Sequence, residues 1–270
     1  MNMTLDQYIL NPMGKNNAVL NASTREILRK TYVSKFDNIL LREKGKIDYR
    51  LYYDKKNNTY WAHIKVPSEV VRDFYYDVVF KFTANESISD GGNDLFKYNV
   101  RFYSNDPAFV FTYAHVFRIN DLFIKELYSK MSKEALKKPP VEKNPTKDIG
   151  YVKAIYFAYL VMENKGLNKK LKFVGEAKTL DSVGGLGYLL SQIEDADTKV
   201  QARQEEGAKV SKAKKITIDD KTYRNMKKYI GRDTDMSNSK LQVSTTKKIN
   251  KITNKSTTKS TKRVGSIKKK

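Results

Sequence analysis

The chain has no cysteine, one tryptophan, two histidines and six prolines in 270 residues. Without cysteine, disulfides and thiolate-held zinc or iron–sulfur centres are excluded. The two histidines, His63 and His115, leave little material for imidazole catalysis. Long apolar runs are also missing. The densest, YVKAIYFAYLVM from Tyr151 to Met162, carries Lys153 and falls short of the roughly 20 residues a membrane-spanning helix needs. The opening MNMTLDQYILNPMGKNNAV has no basic segment followed by an apolar stretch, so no secretory leader is expected in it. These features fit a soluble chain in a reducing compartment.

Acidic residues are scarce: 30 Asp and Glu stand against 52 Lys and Arg, for a net charge of +22. The excess is concentrated late in the chain. Residues 201–270 hold 21 basic and 6 acidic side chains, which is +15, and leave +7 for residues 1–200. The last stretch, LQVSTTKKINKITNKSTTKSTKRVGSIKKK, has ten Lys or Arg, no acid and no aromatic ring. It cannot bury enough apolar surface to fold alone. The expected organisation is an α+β globular domain over 1–200, a polar helical or linker region over 201–240, and a disordered Lys-rich tail over 241–270.

The first part alternates in a way that predicts an antiparallel sheet of about five strands with one buried face and flanking helices. IDYRLYY and TYWAHIKV around a DKKNN turn read as a hairpin. FYYDVVFKF, FKYNVRFY and FVFTYAHVF follow, each with aromatic or branched residues at every second position. Helices are predicted around STREILRKTYVSKFDNILLR, with Ser23 and Glu26 at capping-box spacing, in NDLFIKELYSKMSKEAL, and in DIGYVKAIYFAYLVMENKG with Gly166 at its end. KKLKFVGEAKTL reads as a short strand, and GYLLSQIEDADTKVQARQEEGAKV as helical and increasingly polar. TIDDKTYRNMKKYI could add a short amphipathic helix.

The second face of that sheet combines rings with cations: Trp61, Lys81, Arg101 and Tyr103, beside Arg50, Tyr52, His63 and Lys65. Rings that stack on bases and cations that track phosphates are what single-stranded nucleic acid needs. A solvated sheet face accounts for the same pattern. The tail offers Lys247, Lys248, Lys251, Lys255, Lys259, Lys262, Arg263, Lys268, Lys269 and Lys270 for phosphate contacts. An acidic protein surface or an anionic lipid surface is the alternative partner for those charges. Glu176 and Lys178 form a Glu-x-Lys pair of the kind that holds Mg²⁺ in nucleases, without an upstream Asp on a clear strand. VGGLG lacks the lysine of a phosphate loop and reads as a helix entry. No cofactor, metal site or catalytic residue is otherwise indicated.

Two stretches, YILNPMGKNNAVLNASTREILRKTYVSKFDNIL and NPTKDIGYVKAIYFAYLVME, give the chain its resemblance to proteins encoded by tailed bacteriophages of low-GC hosts. The resemblance covers roughly residues 8–165 and carries no residue with known chemistry. It implies a phage particle, or phage DNA metabolism in the host cytoplasm. The leading expectation is a non-enzymatic particle component that contacts DNA and other virion subunits. A soluble single-strand-binding accessory factor in phage replication or expression is the second reading, and a Mg²⁺-dependent nuclease the third.

Overall fold

A computed structural model describes residues 2–84 and 92–213. The tail cations and the TIDDKTYRNMKKYI segment lie outside the described residues. The compact unit runs from Met1 to Ser211. Its centre is one sheet of β1 (Tyr49–Asp54), β2 (Thr59–Pro67), β3 (Tyr75–Thr83), β4 (Asn99–Ser104) and β5 (Lys178–Thr179). The spatial order is β4-β3-β2-β1-β5. The first four strands pair antiparallel, while β5 runs parallel to β1 through Tyr52↔Lys178 and Tyr53↔Thr179. The fold is therefore α+β, with a mostly antiparallel sheet and flanking helices.

Register divides the side chains into two sets, because neighbours along a strand point to opposite faces. One face joins Leu51, Ala62, Phe80 and Phe102 in a row across β1 to β4. Helices α1 (Leu5–Leu10) and α5 (Lys153–Asn164) cover it. Tyr8 of α1 lies 4.9 Å from the Phe102 ring, and α5 packs on β2 and β3. Helix α5 is buried almost all round, which explains its near-continuous apolar sequence. Gly166 closes it at φ +64, in the left-handed region. Its N–H donates to the Glu163 carbonyl, and the next N–H, of Leu167, donates to Met162, the paired bonds of a Schellman stop.

The other face is buried as well, contrary to the single buried face read from the sequence. Residues 121–130 and 188–194 lie over it, as the contacts below show. The predicted strand FVFTYAHVF is also corrected. It forms a π-helical turn, Phe109–Tyr113, that continues into α3 (Ala114–Ile119). Phe109, Val110, Ala114, Val116 and Phe117 are all buried. Phe111 is apolar yet exposed, so apolar residues occupy both sides of the segment and its alternation carries no information about period. Pro107 fits the first turn of such a helix. His115 is held there, Nδ1 lying 2.9 Å from the Leu136 carbonyl, as a satisfied core residue.

NDLFIKELYSKMSKEAL is not one helix. Leu122 to Ile124 runs extended along β4: Phe102 donates to the Leu122 carbonyl and Ile124 donates back to Phe102. Pairing with a strand edge outweighs helix propensity here, leaving a 3₁₀ turn at Lys125–Lys130 and the short α4 (Lys133–Lys137). The long helix α2 (Ala22–Arg42) forms as predicted, but its cap is Asn21, whose Oδ1 accepts from the Thr24 N–H at 2.8 Å. Glu26 instead pairs with Lys30. A true capping box occurs at α1, between Thr4 and Gln7. KKLKFVGEAKTL supplies α6 (Lys170–Glu176) before β5, and the polar segment after it splits into α7 (Leu186–Ser191) and α8 (Ala196–Ala213).

The two stretches that carry the resemblance meet in space. Asn17 N–H donates to Asp148 Oδ1, Ile149 N–H donates to Asn17 Oδ1, and the Tyr32 and Tyr151 rings stack at 5.5 Å.

Candidate functional site

The face nominated for base stacking is built as read: Tyr52↔Trp61↔Lys81↔Arg101 form one cross-strand row, and Arg50↔His63↔Val79↔Tyr103 the next. Its chemistry is different from the expectation. Trp61 is 2% exposed and Tyr103 is fully buried, so neither ring offers a face to a base. Both are corrected as stacking candidates. Tyr103 Oη lies 3.1 Å from the Lys130 carbonyl and 3.3 Å from that of Glu194, and burial, with Asp77 and Asp195 nearby, raises its phenol. Its ring also meets Phe123 edge-on at 6.0 Å. Lys81 is engaged with Glu126 and sits 4.9 Å over the Trp61 ring. Arg101 pairs with Asp121. Cations neutralised inside the unit are poor phosphate ligands.

Beneath the cover lies a network that the sequence reading missed. His63 Nε2 is 2.8 Å from Asp77 Oδ1, with both side chains almost wholly buried. Asp77 Oδ2 accepts from Asn105 Nδ2 at 2.9 Å and from the Glu194 backbone N–H at 3.0 Å. The Asp77 N–H in turn donates to Asn105 Oδ1. Burial pushes the Asp77 carboxyl up, but its hydrogen bond to and electrostatic interaction with His63, the Glu194 N–H and Lys65 outweigh this and hold it below the ordinary value of 3.8. Asp77 is thus an ionised acceptor, and His63 Nε2 carries the proton it shares. His63 Nδ1, Trp61 Nε1 and Arg101 Nε, all on this face, are buried without a hydrogen-bond partner among the described residues. The His63–Asp77 pair sits under residues 188–194. What it does is clip the loop before α8 to the sheet. A lone carboxylate inside the strand run FYYDVVFKF was the signal available for it.

Two surface features remain. A cleft of about 390 Å³ includes Glu69, Tyr76, Asp106, Lys153 and Arg203 in its walls. Lys153 pairs with Glu69, and Arg203 donates to the Tyr76 hydroxyl. Burial raises the Asp106 carboxyl against the pull of Lys153 and the Phe109 N–H. At the β1–β5 edge, a groove of about 460 Å³ is lined by Tyr49, Arg50, Tyr52, Glu176, Lys178 and Tyr188, among others. Glu176 closes α6 instead of standing on a strand, and its Oε2 accepts from the Tyr49 hydroxyl at 3.0 Å. Among the described residues no group of three or more His, Asp or Glu is placed to hold a metal ion. No helix among them is long and apolar enough to cross a membrane.

No protein family, curated protein or solved structure matches the chain.

Proposed function

We propose that the protein is a non-enzymatic assembly component that contacts DNA through its Lys-rich C-terminal segment, within a tailed-phage particle. The carrying observation is the partition of charge. Residues 201–270 hold +15 of the net +22. In the folded unit, the cations nominated for phosphate, Lys81 and Arg101, are already paired with Glu126 and Asp121. That leaves Lys247, Lys248, Lys251, Lys255, Lys259, Lys262, Arg263, Lys268, Lys269 and Lys270 as the phosphate-neutralising set. Ten cations on one segment bind polyphosphate by releasing its condensed counterions, without reading sequence. The folded unit then serves as the anchor that other virion subunits hold. The particle context rests on the resemblance of residues 8–165.

The test is the salt dependence of duplex DNA binding, comparing the full chain with one ending at residue 240. Each phosphate neutralised contributes about 0.9 to the slope of log affinity against log salt. Removing the segment should cut the slope by several units. An unchanged slope overturns the proposal. Binding of the full chain to an acidic protein but not to DNA assigns the segment to the other partner and overturns it too.

A further inference from the structure

The groove at the β1–β5 edge differs from the sealed sheet face in what it leaves open. Strand β5 is only two residues long and pairs with Tyr52 and Tyr53, so the Tyr49–Leu51 part of β1 has no strand beside it on that side among the described residues. The opening left there is walled by the end of α6 on one side and by α7 on the other. Tyr188 of α7 meets the buried Tyr52 ring edge-on at 6.3 Å and keeps 37% of its surface exposed. That contact fixes the ring while leaving surface free. Lys178 is exposed and makes no ion pair among the described residues. Arg50 donates to the Gln192 carboxamide and lies 3.5 Å from Asp48, with 39% of its side chain still accessible. Glu176 faces the same space, its carboxylate steadied by the Tyr49 hydroxyl.

We propose that this groove binds one nucleotide of a single-stranded nucleic acid, with the base on Tyr188 and the phosphate on Lys178. A pre-oriented half-open ring beside a lysine with no ion pair among the described residues meets the two needs of that ligand, a stacking surface and charge for the backbone. The Glu176 carboxylate accepts from a base amino group, which favours bases that carry one. An acidic peptide would use the lysine but not the ring. The inference rests on the reading of the chain as a nucleic-acid-contacting protein. It adds a contact that the C-terminal segment does not supply.

The full chain is irradiated with a bromouracil-substituted single-stranded oligonucleotide, and the crosslinked peptides are mapped. Crosslinks are expected at Tyr188. Tyr188→Ala should bind the oligonucleotide about tenfold more weakly at an unchanged salt slope, because a stacking contact releases no ions. Lys178→Ala should lower the slope by about 0.7, the contribution of one phosphate on a single strand. Circular dichroism confirms that each variant is folded. Crosslinks confined to residues 241–270, with both variants binding like wild type, overturn the groove and leave the C-terminal reading standing. Lys178→Ala weakening polyglutamate and oligonucleotide equally, with Tyr188→Ala weakening neither, points to an acidic peptide and also overturns it. A full chain that binds neither duplex nor single strand ends both readings.

Discussion

Asp77 is where single-residue chemistry matters most. Its carboxylate takes three donors from three places: His63 on β2, Asn105 after β4 and the Glu194 N–H before α8. Removing it leaves those donors buried and unpaired. Asp77→Ala should therefore cost about 3–5 kcal/mol, read as a fall in the urea midpoint. The pH dependence has a fixed sign. The folded carboxyl lies below 3.8, so its contribution is complete above that pH and is lost as pH falls through the lower, folded value. Stability of the wild type should drop with acidification below about pH 4, and Asp77→Asn should drop less over the same window. Trp61 gives a second test. It is the sole tryptophan, is buried, and lies under the Lys81 ammonium. Its emission should be blue-shifted in the native protein, resist iodide quenching and stay unquenched when single-stranded DNA saturates the chain. Quenching by DNA would return Trp61 to the binding surface.

Elements are held by their ends as much as by their faces. The turn into α5 depends on Gly150, at φ +62, where an added Cβ would come 2.1 Å from the Tyr113 ring. A left-handed backbone and a ring edge both oppose a side chain there. Gly150→Ala should destabilise by about 3 kcal/mol, with thermal unfolding as the measure. Asn21→Ala removes the cap of α2 and should cost about 1 kcal/mol. That smaller figure suits a helix whose fully buried residues are only Phe36 and Ile39. The same logic accounts for the misread segments. Helix and strand patterns hold where one side of an element meets water, as in α2. They lose meaning in Phe109–Tyr113, where apolar residues stand on exposed as well as buried positions, and in Leu122–Ile124, which the exposed edge of β4 captured.

For the molecule as a whole, most of the net charge, +15 of +22, lies in residues 201–270. Buried core residues run from Met3 to Val200, and the compact unit reaches Ser211. A chain ending at residue 213 should keep its unfolding free energy within about 0.5 kcal/mol of the full chain, measured by urea titration. A larger loss would mean that later residues complete the core. The truncated chain should also lose most of the salt-sensitive attraction to DNA.

Composition and local order determined the charge partition, the absence of thiol chemistry, the α+β class, the β1–β2 hairpin, α2 and α5. Each follows from what neighbouring residues do with water or with their own backbone. Tertiary structure decided which polar residues are surface. Trp61, His63, Asp77 and Tyr103 alternate with the apolar stripe as solvent-facing residues would, and residues 121–130 and 188–194 then cover them. Alternation reports that a strand has two faces, but whether the second is wet depends on chain that arrives from 27 to 117 positions away. The β1–β5 groove has the same origin: Tyr49, Lys178 and Tyr188 come together only because β5 stops after two residues.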